Sequence, residues 1–369
     1  MKYSLFYPIR EIHSIFGACL RHFPKEGIYA AAMTDLQHLP SVDAILAAYD
    51  AIDPLFLNTP LVRHASADAA LGLKLHAKVE TLNPIRAFKG RGTDWLLETM
   101  PASEAPLVTA SAGNFGQGLA YAAAKRQRRA IIFAATNANP LKIAAMRRLG
   151  AEVHLHGDDF DAAKTEARRF GEAETYAFVE DGAHGAIAEG AGTIALEVTQ
   201  QAEQRGTAFD AILVPLGNGA LLTGVGTWVK AQMPSCRVIG VVAEAAPAML
   251  LSWQRDALIS TASAPTIADG IAVREPIRYA LESMKATVDD VWTVGENSIR
   301  AAMRFCHAHY GLVVEPAGAA GVAAALEHQE ELAGHSVATI LCGGNLTPEQ
   351  MRAYLCDDQV EPTRRARIT

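Results

Sequence analysis

Short β-branched runs alternate with longer, alanine-rich amphipathic stretches from Pro106 to the end of the chain's last apolar run at Leu341. The first series comprises LVTA, AIIFAA, AEVHLH and YAFVE, and the second comprises FDAILVPL, RVIGVVA and SVATILCGG. Because parallel strands need a crossover that is usually helical, this alternation predicts an α/β fold whose sheets are mostly parallel and covered by helices.

The two series predict two domains. YAFVE closes the first series, and the Gly- and Ala-rich segment DGAHGAIAEGAGT follows it, which we interpret as a hinge or crossing. We therefore expect a small α/β domain at residues 106–184, inserted into a large domain made of residues 1–105 and 185–369.

Composition narrows the possible partners and compartment. The net charge of -7 and the absence of a basic tract argue against nucleic acid, and no apolar run reaches the roughly 18 residues that a membrane span needs. The five cysteines include no CxxC pair, and the N-terminal stretch lacks the apolar region of a signal peptide. We expect a cytoplasmic protein with reduced thiols, bound to neither nucleic acid nor membrane.

The segment NPIRAFKGRG at positions 83–92 holds the first candidate for chemistry. Asn83 and Pro84 predict a turn, so that Lys89 stands at or near a helix start. An apolar wall and the cation of Arg91 would lower the pKa of Lys89 and make its amine nucleophilic. Most lysines are nevertheless solvated surface charges, and the decapeptide alone leaves both interpretations open.

Two glycine loops are predicted between a strand and a helix. SAGNFGQG, residues 111–118, offers a hydroxyl, an amide and backbone N–H groups suited to a carboxylate. PLGNGALLTG, residues 215–224, offers consecutive N–H groups suited to a phosphate. Each loop could equally be an ordinary turn. The second lacks both the Lys-Ser/Thr of a nucleoside-triphosphate loop and the third glycine of a dinucleotide fingerprint.

The segment LCGGN ends the last predicted strand at Cys342. A cysteine in such a place is more often a small buried hydrophobe than a reactive group. The informative feature is that this segment, the two loops and Lys89 all fall at strand-to-helix junctions, where open α/β sheets bind ligands.

Together these four segments resemble the fold type II pyridoxal-phosphate enzymes, and in particular their serine and threonine dehydratases. The resemblance also takes in TPL at 59–61, TIADGIAV at 266–273 and VVEPAGAAGVAAAL at 313–326, and it covers residues 58–345. It implies two open, twisted, mostly parallel sheets with flanking helices, pyridoxal 5'-phosphate as cofactor, an amino acid as substrate, and a homodimer.

The resemblance further implies the role of each matching residue. Lys89 matches the catalytic lysine that holds the cofactor as a Schiff base, and Asn114 matches the residue that binds the pyridoxal 3-hydroxyl. The implied cofactor-binding residues are Phe88, Lys89, Asn114, Gly217, Asn218, Gly219, Ala220, Leu221 and Cys342. The implied substrate-carboxylate loop is Ser111, Ala112, Gly113 and Asn114.

The thiol of Cys342 bears on the reaction. A group with a reference pKa of about 8.5 cannot keep the pyridine nitrogen protonated as a carboxylate would. The unprotonated ring would then withdraw electrons less strongly from Cα. That favours prompt loss of a β-substituent over transamination. We therefore predict that Lys89 takes the α-proton and that a hydroxy amino acid, L-threonine or L-serine, is converted to a 2-oxo acid and ammonia.

Two related properties are disfavoured. Serine racemases of this family carry a serine where Ala112 stands, and alanine cannot move a proton. Some relatives bind a divalent cation through two acidic side chains; Glu244 is present here, but Leu250 replaces the second acid. We predict no metal site.

The substrate is not fixed by these residues. Ala87, Phe115 and Ala191 replace the family's usual Ser, His and Gln, and 3-hydroxyaspartate stays possible alongside threonine and serine. Arg86 is either a solvated charge or the partner of a second substrate carboxylate. Within the family, a serine racemase-like enzyme and a β-replacement enzyme are further alternatives. A non-catalytic pyridoxal-phosphate carrier and a nucleotide-binding Rossmann protein are the alternatives from other classes.

Overall fold

Two sheets form the framework of the computed structural model, which describes residues 38–356. The N-terminal stretch discussed above, which contains Cys19, the first of the five cysteines, lies outside the described residues. The expectation of an α/β fold with two mostly parallel sheets is confirmed.

The larger sheet has six strands in the order β1-β2-β10-β7-β8-β9, and only β1 runs antiparallel to its neighbour. Its strands are β1 (Leu61–Arg63), β2 (Lys74–Val79), β7 (Ala211–Pro215), β8 (Arg237–Ala243), β9 (Asp290–Val294) and β10 (Ser336–Leu341). The first and last parts of the sequence thus meet in adjacent strands, β2 and β10.

The smaller sheet has four parallel strands in the order β5-β4-β3-β6. They are β3 (Leu107–Ala110), β4 (Ala130–Ala134), β5 (Glu152–Leu155) and β6 (Ala177–Phe178). Every residue of β4 and of β7 is buried, as expected for central strands of parallel sheets that are covered on both faces.

Helices follow almost every strand and cover the sheets. They are α1 (Val42–Ala51), α2 (Ala65–Leu71), α3 (Lys89–Thr99), α4 (Asn114–Lys125), α5 (Pro140–Arg148), α6 (Phe160–Glu174), α7 (Gly185–Gln204), α8 (Ala220–Gln232), α9 (Ala248–Arg255), α10 (Arg278–Lys285), α11 (Glu296–Tyr310), α12 (Pro316–Glu327), α13 (Gln329–Leu332) and α14 (Pro348–Leu355). Within the part of the chain that is described, no helix has the length and apolar character needed to cross a bilayer.

The Gly- and Ala-rich segment interpreted as a hinge or a crossing is helical from Gly185 onward, where α7, a buried 20-residue helix, begins. Its glycines serve close packing. A Cβ atom at Gly192 would lie 2.9 Å from the carbonyl oxygen of Gly224 on α8. The hinge interpretation was wrong, because glycine marks a tight helix–helix approach here and not a flexible link. The alternative, a crossing between the two domains, stays a prediction.

A buried charge cluster fixes helix α3 against α7 and β2. Arg91, in the first turn of α3, is fully buried and donates to Glu80 at 2.9 Å and to Glu197 at 2.8 Å. Lys78 donates to the same Glu197 at 2.6 Å. Burial opposes the charge of Arg91, but the two carboxylates outweigh it and raise the pKa of its guanidinium. The orientation of the first turn of α3 is therefore set by this cluster.

Candidate active site

A cavity of about 490 Å³ lies where the carboxyl ends of β3, β6, β7 and β10 converge, within the usual size range of ligand pockets. Eight of the predicted site residues line it: Phe88, Lys89, Ser111, Ala112, Gly113, Asn114, Asn218 and Cys342. The other four, Gly217, Gly219, Ala220 and Leu221, are next to Asn218 in the sequence but do not form the wall. Four separate segments of sequence thus meet at one cavity, as expected for an open α/β sheet.

Lys89 is the first residue of α3, as predicted. The loop before it is organised by Asn83, whose Oδ1 accepts from the N–H of Ile85 and of Ala87, each at 3.2 Å. The Nζ atom of Lys89 lies 5.0 Å from the ring centroid of Phe88 and 5.7 Å from that of Phe115. The aromatic wall expected beside the amine is therefore present.

The charged partner of Lys89 differs from the expectation. Arg91 is turned away into the buried cluster with Glu80 and Glu197, where its charge is compensated. The Nζ atom of Lys89 instead donates to both carboxylate oxygens of Asp181, at 2.8 and 2.7 Å. The proposal that Arg91 perturbs the amine was wrong, because helical geometry directs residues two positions apart to different faces.

The loop after β3 is built around the hydroxyl of Ser111. Its Oγ accepts from the backbone N–H of Gly113 at 3.2 Å and of Gly116 at 3.0 Å, which fixes the loop over the first turn of α4. A hydroxyl that accepts two bonds still has its own proton to donate. Ser111 can therefore shape this loop and also donate to a bound carboxylate.

Asn114 is held in place by two residues for which the sequence analysis assigned no role. Its Nδ2 donates to Glu315 Oε1 at 2.6 Å, and its Oδ1 accepts from Asn345 Nδ2 at 2.9 Å. Asn345 also donates its backbone N–H to the other oxygen of Glu315 at 3.1 Å. Both ends of the Asn114 amide are thus fixed, and one Nδ2 proton is left over for a ligand.

Glu315 is 2 % exposed and precedes α12. Burial raises the pKa of its carboxyl above the ordinary value, although Lys142 and the hydrogen bonds from Asn345 and Asn114 act in the opposite direction. Glu315 is the one charged residue in VVEPAGAAGVAAAL, and a lone carboxylate in an apolar run was the available signal. Asp181 lies three residues after the end of β6. Apart from this place at a strand end, no pattern in the sequence singled it out.

Helix α8 begins at Ala220 without a side-chain cap, and Gly219 before it has φ +91°. Ala220 and Leu221 are 4 % and 5 % exposed, so the first N–H groups of α8 belong to a buried helix start. Such groups need an acceptor, and the partial positive charge of the helix end favours an anion. An anion in the cavity beside Asn218 would satisfy them.

Cys342 follows β10 and is 5 % exposed. Burial, with the nearby carboxylate of Glu315, raises the pKa of its thiol far above the usual range, against a smaller opposing effect of Lys89. The thiol therefore stays protonated and uncharged at working pH. It can face an aromatic nitrogen as a weak hydrogen-bond partner without supplying a negative charge.

The structure also bears on the predictions for Arg86 and for a metal site. Arg86 is exposed, has φ +55° and does not line the cavity, which favours the solvated interpretation of its charge. Among residues 38–356 no group of three or more His, Cys, Asp or Glu side chains is arranged to hold a metal ion, so the absence of a metal stays a prediction.

The residues present fit pyridoxal phosphate. An amine in an aromatic-walled cavity, an uncapped helix start for a phosphate, a fixed amide and a neutral thiol are the donors and acceptors that this cofactor needs. The fold and the site together define a pyridoxal-phosphate enzyme of fold type II.

The chain belongs to the pyridoxal-phosphate dependent enzyme family, which matches it over residues 52–343. Among curated proteins it is 32% identical over 298 residues to an L-threonine dehydratase biosynthetic IlvA of Pasteurella multocida, covering 80% of this chain and 57% of that protein. It is 34% identical over 290 residues to an L-threonine ammonia-lyase of Thermotoga maritima, covering 78% of this chain and 71% of that protein. The chain thus covers less than two thirds of the first of these relatives.

Among solved structures, a threonine deaminase from T.th. superposes with a TM-score of 0.79 at 33% identity, covering 84% of this chain and 99% of that one. The resemblance inferred from the sequence is confirmed by these comparisons, and pyridoxal phosphate is the cofactor.

Proposed function

We propose that this protein is an ammonia-lyase that removes the β-hydroxyl of L-threonine or L-serine and releases a 2-oxo acid and ammonia. The observation that carries the proposal is the convergence of Lys89, the Ser111–Asn114 loop and the Cys342 thiol on one cavity. Two relatives that bear the names threonine dehydratase and threonine ammonia-lyase support it.

We assign the cofactor to the residues predicted from the sequence. Lys89 would hold it covalently beside the ring of Phe88, and Asn114 would donate its remaining Nδ2 proton to the ring hydroxyl. The segment from Gly217 to Leu221 would bind the phosphate through backbone N–H groups, and Cys342 would face the ring nitrogen. When bound, the cofactor withdraws the electron pair that is left at Cα after proton removal.

The protein's own side chains then perform the remaining tasks. The loop of Ser111, Ala112, Gly113 and Asn114 binds the substrate carboxylate through N–H groups and the Ser111 hydroxyl. The Lys89 amine, which lines the same cavity as this loop, takes the α-proton. The uncharged Cys342 thiol does not stabilise a protonated ring nitrogen as a carboxylate would. Negative charge at Cα is therefore not stored for long, and loss of the β-hydroxyl is favoured.

Three further properties are part of the proposal. We divide the chain into a large domain, residues 1–105 and 185–369, and a small domain, residues 106–184, because each carries its own sheet. We place the protein in the cytoplasm, in keeping with the free thiols of Cys236, Cys306, Cys342 and Cys356. By resemblance to its relatives we assign it as a homodimer.

The test is a screen for 2-oxo acid and ammonia with L-threonine, L-serine, D-serine and both 3-hydroxyaspartate diastereomers, without an added nucleophile. We expect turnover of L-threonine or L-serine and no need for a second substrate. Formation of product only with an added nucleophile would identify a β-replacement enzyme instead. A cofactor-loaded protein that turns over none of them would overturn the proposal.

A further inference from the structure

The carboxylate of Asp181 lies at the reactive end of Lys89. Both of its oxygens accept from Nζ, at 2.7 and 2.8 Å, and the two side chains are only 14% and 21% exposed. Any group that later occupies the place of the Lys89 amine, or lies beside it, will therefore be next to this carboxylate.

The position of Asp181 is fixed by the backbone that follows it. Gly182 has φ +80°, and a Cβ atom there would lie 2.6 Å from the carbonyl oxygen of Asn218. The Nδ2 atom of Asn218 in turn lies 3.5 Å from Asp181 Oδ2. The turn that carries Asp181 is thus packed against the loop before α8, so the carboxylate is a fixed part of the cavity wall.

Cofactor binding changes the hydrogen bonds that Asp181 accepts. A lysine ammonium donates three protons, whereas a nitrogen bonded to the carbonyl carbon of the cofactor has at most one. The cavity's other cations are already paired: Lys142 with Asp269 at 2.6 Å, Arg274 with Asp161 at 2.7 Å, and Lys164 with Glu180. In the loaded protein, the Lys89 nitrogen therefore cannot keep both of the hydrogen bonds that it donates to Asp181, and at least one carboxylate oxygen loses its lysine donor.

We propose that Asp181 sets the charge class of the substrate: it accepts a side chain that carries an ammonium group and rejects one that carries a second carboxylate. A carboxylate in a partly buried wall attracts a cation and repels an anion, because screening by water is incomplete there. The proposal rests on the proposed function, since it takes Lys89 as the residue that holds the cofactor. It removes 3-hydroxyaspartate from the candidate substrates.

The test measures binding, so that it does not depend on turnover. The cofactor-loaded protein is titrated with three amino acids of similar length and with no β-leaving group: L-2,4-diaminobutyrate, L-asparagine and L-aspartate. The change in the cofactor's visible absorbance reports each dissociation constant. The variant is Asp181→Asn, and Glu166→Gln is the matched control, because it removes one negative charge from a residue that pairs with Arg169 and does not line the cavity.

For the wild type we expect the tightest binding for diaminobutyrate and the weakest for aspartate. In Asp181→Asn the ratio of the two dissociation constants should shrink by about tenfold or more, as expected for loss of a charge interaction at close range. Glu166→Gln should keep the wild-type ratio.

Two results would overturn the proposal: aspartate binding as tightly as asparagine to the wild type, or an unchanged ratio in Asp181→Asn. If Asp181→Asn does not fold or does not bind the cofactor, the order of the three dissociation constants in the wild type alone decides the matter. Failure of the proposed ammonia-lyase activity would appear separately, as absence of 2-oxo acid from hydroxy amino acids that nevertheless bind.

Discussion

The backbone N–H of Phe88 donates to the carbonyl oxygen of Cys342 at 3.0 Å, and Ala87 forms an isolated antiparallel bridge with Gly343. These contacts join the residue before Lys89 to the end of β10. They fix the reactive amine and the thiol in the same cavity although the two lie near opposite ends of the described chain. The register of β2 beside β10 makes this contact possible, since Val79 is opposite Leu341.

Replacing Lys89 by alanine should abolish both the Schiff base and the reaction. We expect the visible cofactor absorbance to disappear and 2-oxo acid formation to fall by a factor of about 10³ or more, because the covalent link and the base are lost together. Lys285→Ala is the control, since Lys285 pairs with Asp256 and Glu282 away from the cavity. A Lys89→Ala variant with near-normal turnover would show that another residue moves the α-proton.

Glu315→Gln should change how stability depends on pH. Burial raises the pKa of Glu315 in the folded protein, so its contribution to stability is fully present below the ordinary value of 4.5 and is lost as the pH rises through the folded-state pKa. The variant should therefore gain stability relative to the wild type as pH increases, measured by urea unfolding across that window.

Glu349→Gln provides a control of opposite sign for this pH experiment. The exposed carboxylate of Glu349 has its pKa lowered, first by its own backbone N–H and then by the Thr347 side chain. Its contribution is present above 4.5 and is lost as the pH falls. If both variants showed the same slope against pH, the raised pKa of Glu315 would be disproved.

Arg91→Met should destabilise the protein strongly. Removal of the guanidinium leaves the buried carboxylates of Glu80 and Glu197 without their main partner, a change that typically costs about 3–5 kcal/mol. The free energy of unfolding in urea measures it. Arg169→Met breaks the exposed pair with Glu166 and should have little effect. Equal stability of the two variants would mean that the buried cluster does not hold α3.

Ala112→Ser should introduce racemisation. Ala112 lines the cavity, and a hydroxyl there would supply a second proton carrier near Cα besides the Lys89 amine. We expect conversion of L-serine to D-serine, measured by chiral chromatography, to rise at least about tenfold above the wild type. The control is Ala110→Ser, which adds a hydroxyl to the same wall at the end of β3. It should not raise the rate of conversion of L-serine to D-serine. Wild-type protein that already racemises serine as fast as it eliminates would contradict the assignment.

The sequence predicted the local structure and the chemistry of the cofactor site. Alternating strand and helix periods predicted the four strands of the smaller sheet and β7, β8 and β10 of the larger one, but not β1, β2 or β9. The Asn83 turn predicted the helix start at Lys89. These features depend on neighbouring residues and on backbone conformation, so they can be inferred from short stretches. The hinge interpretation of residues 181–193 was wrong because glycine content does not distinguish flexibility from close packing.

The partners of the reactive groups were decided by the tertiary structure. Three contacts between distant parts of the chain show this. Lys89 contacts Asp181, Asn114 contacts Glu315 and Asn345, and Arg91 contacts Glu197. They exist because the sheet order places β10 between β2 and β7 and because β6 ends at the same cavity. The sequence by itself determined which side chains carry the chemistry; strand order and packing determined which charges stand beside them, and therefore the electrostatic environment in which that chemistry takes place.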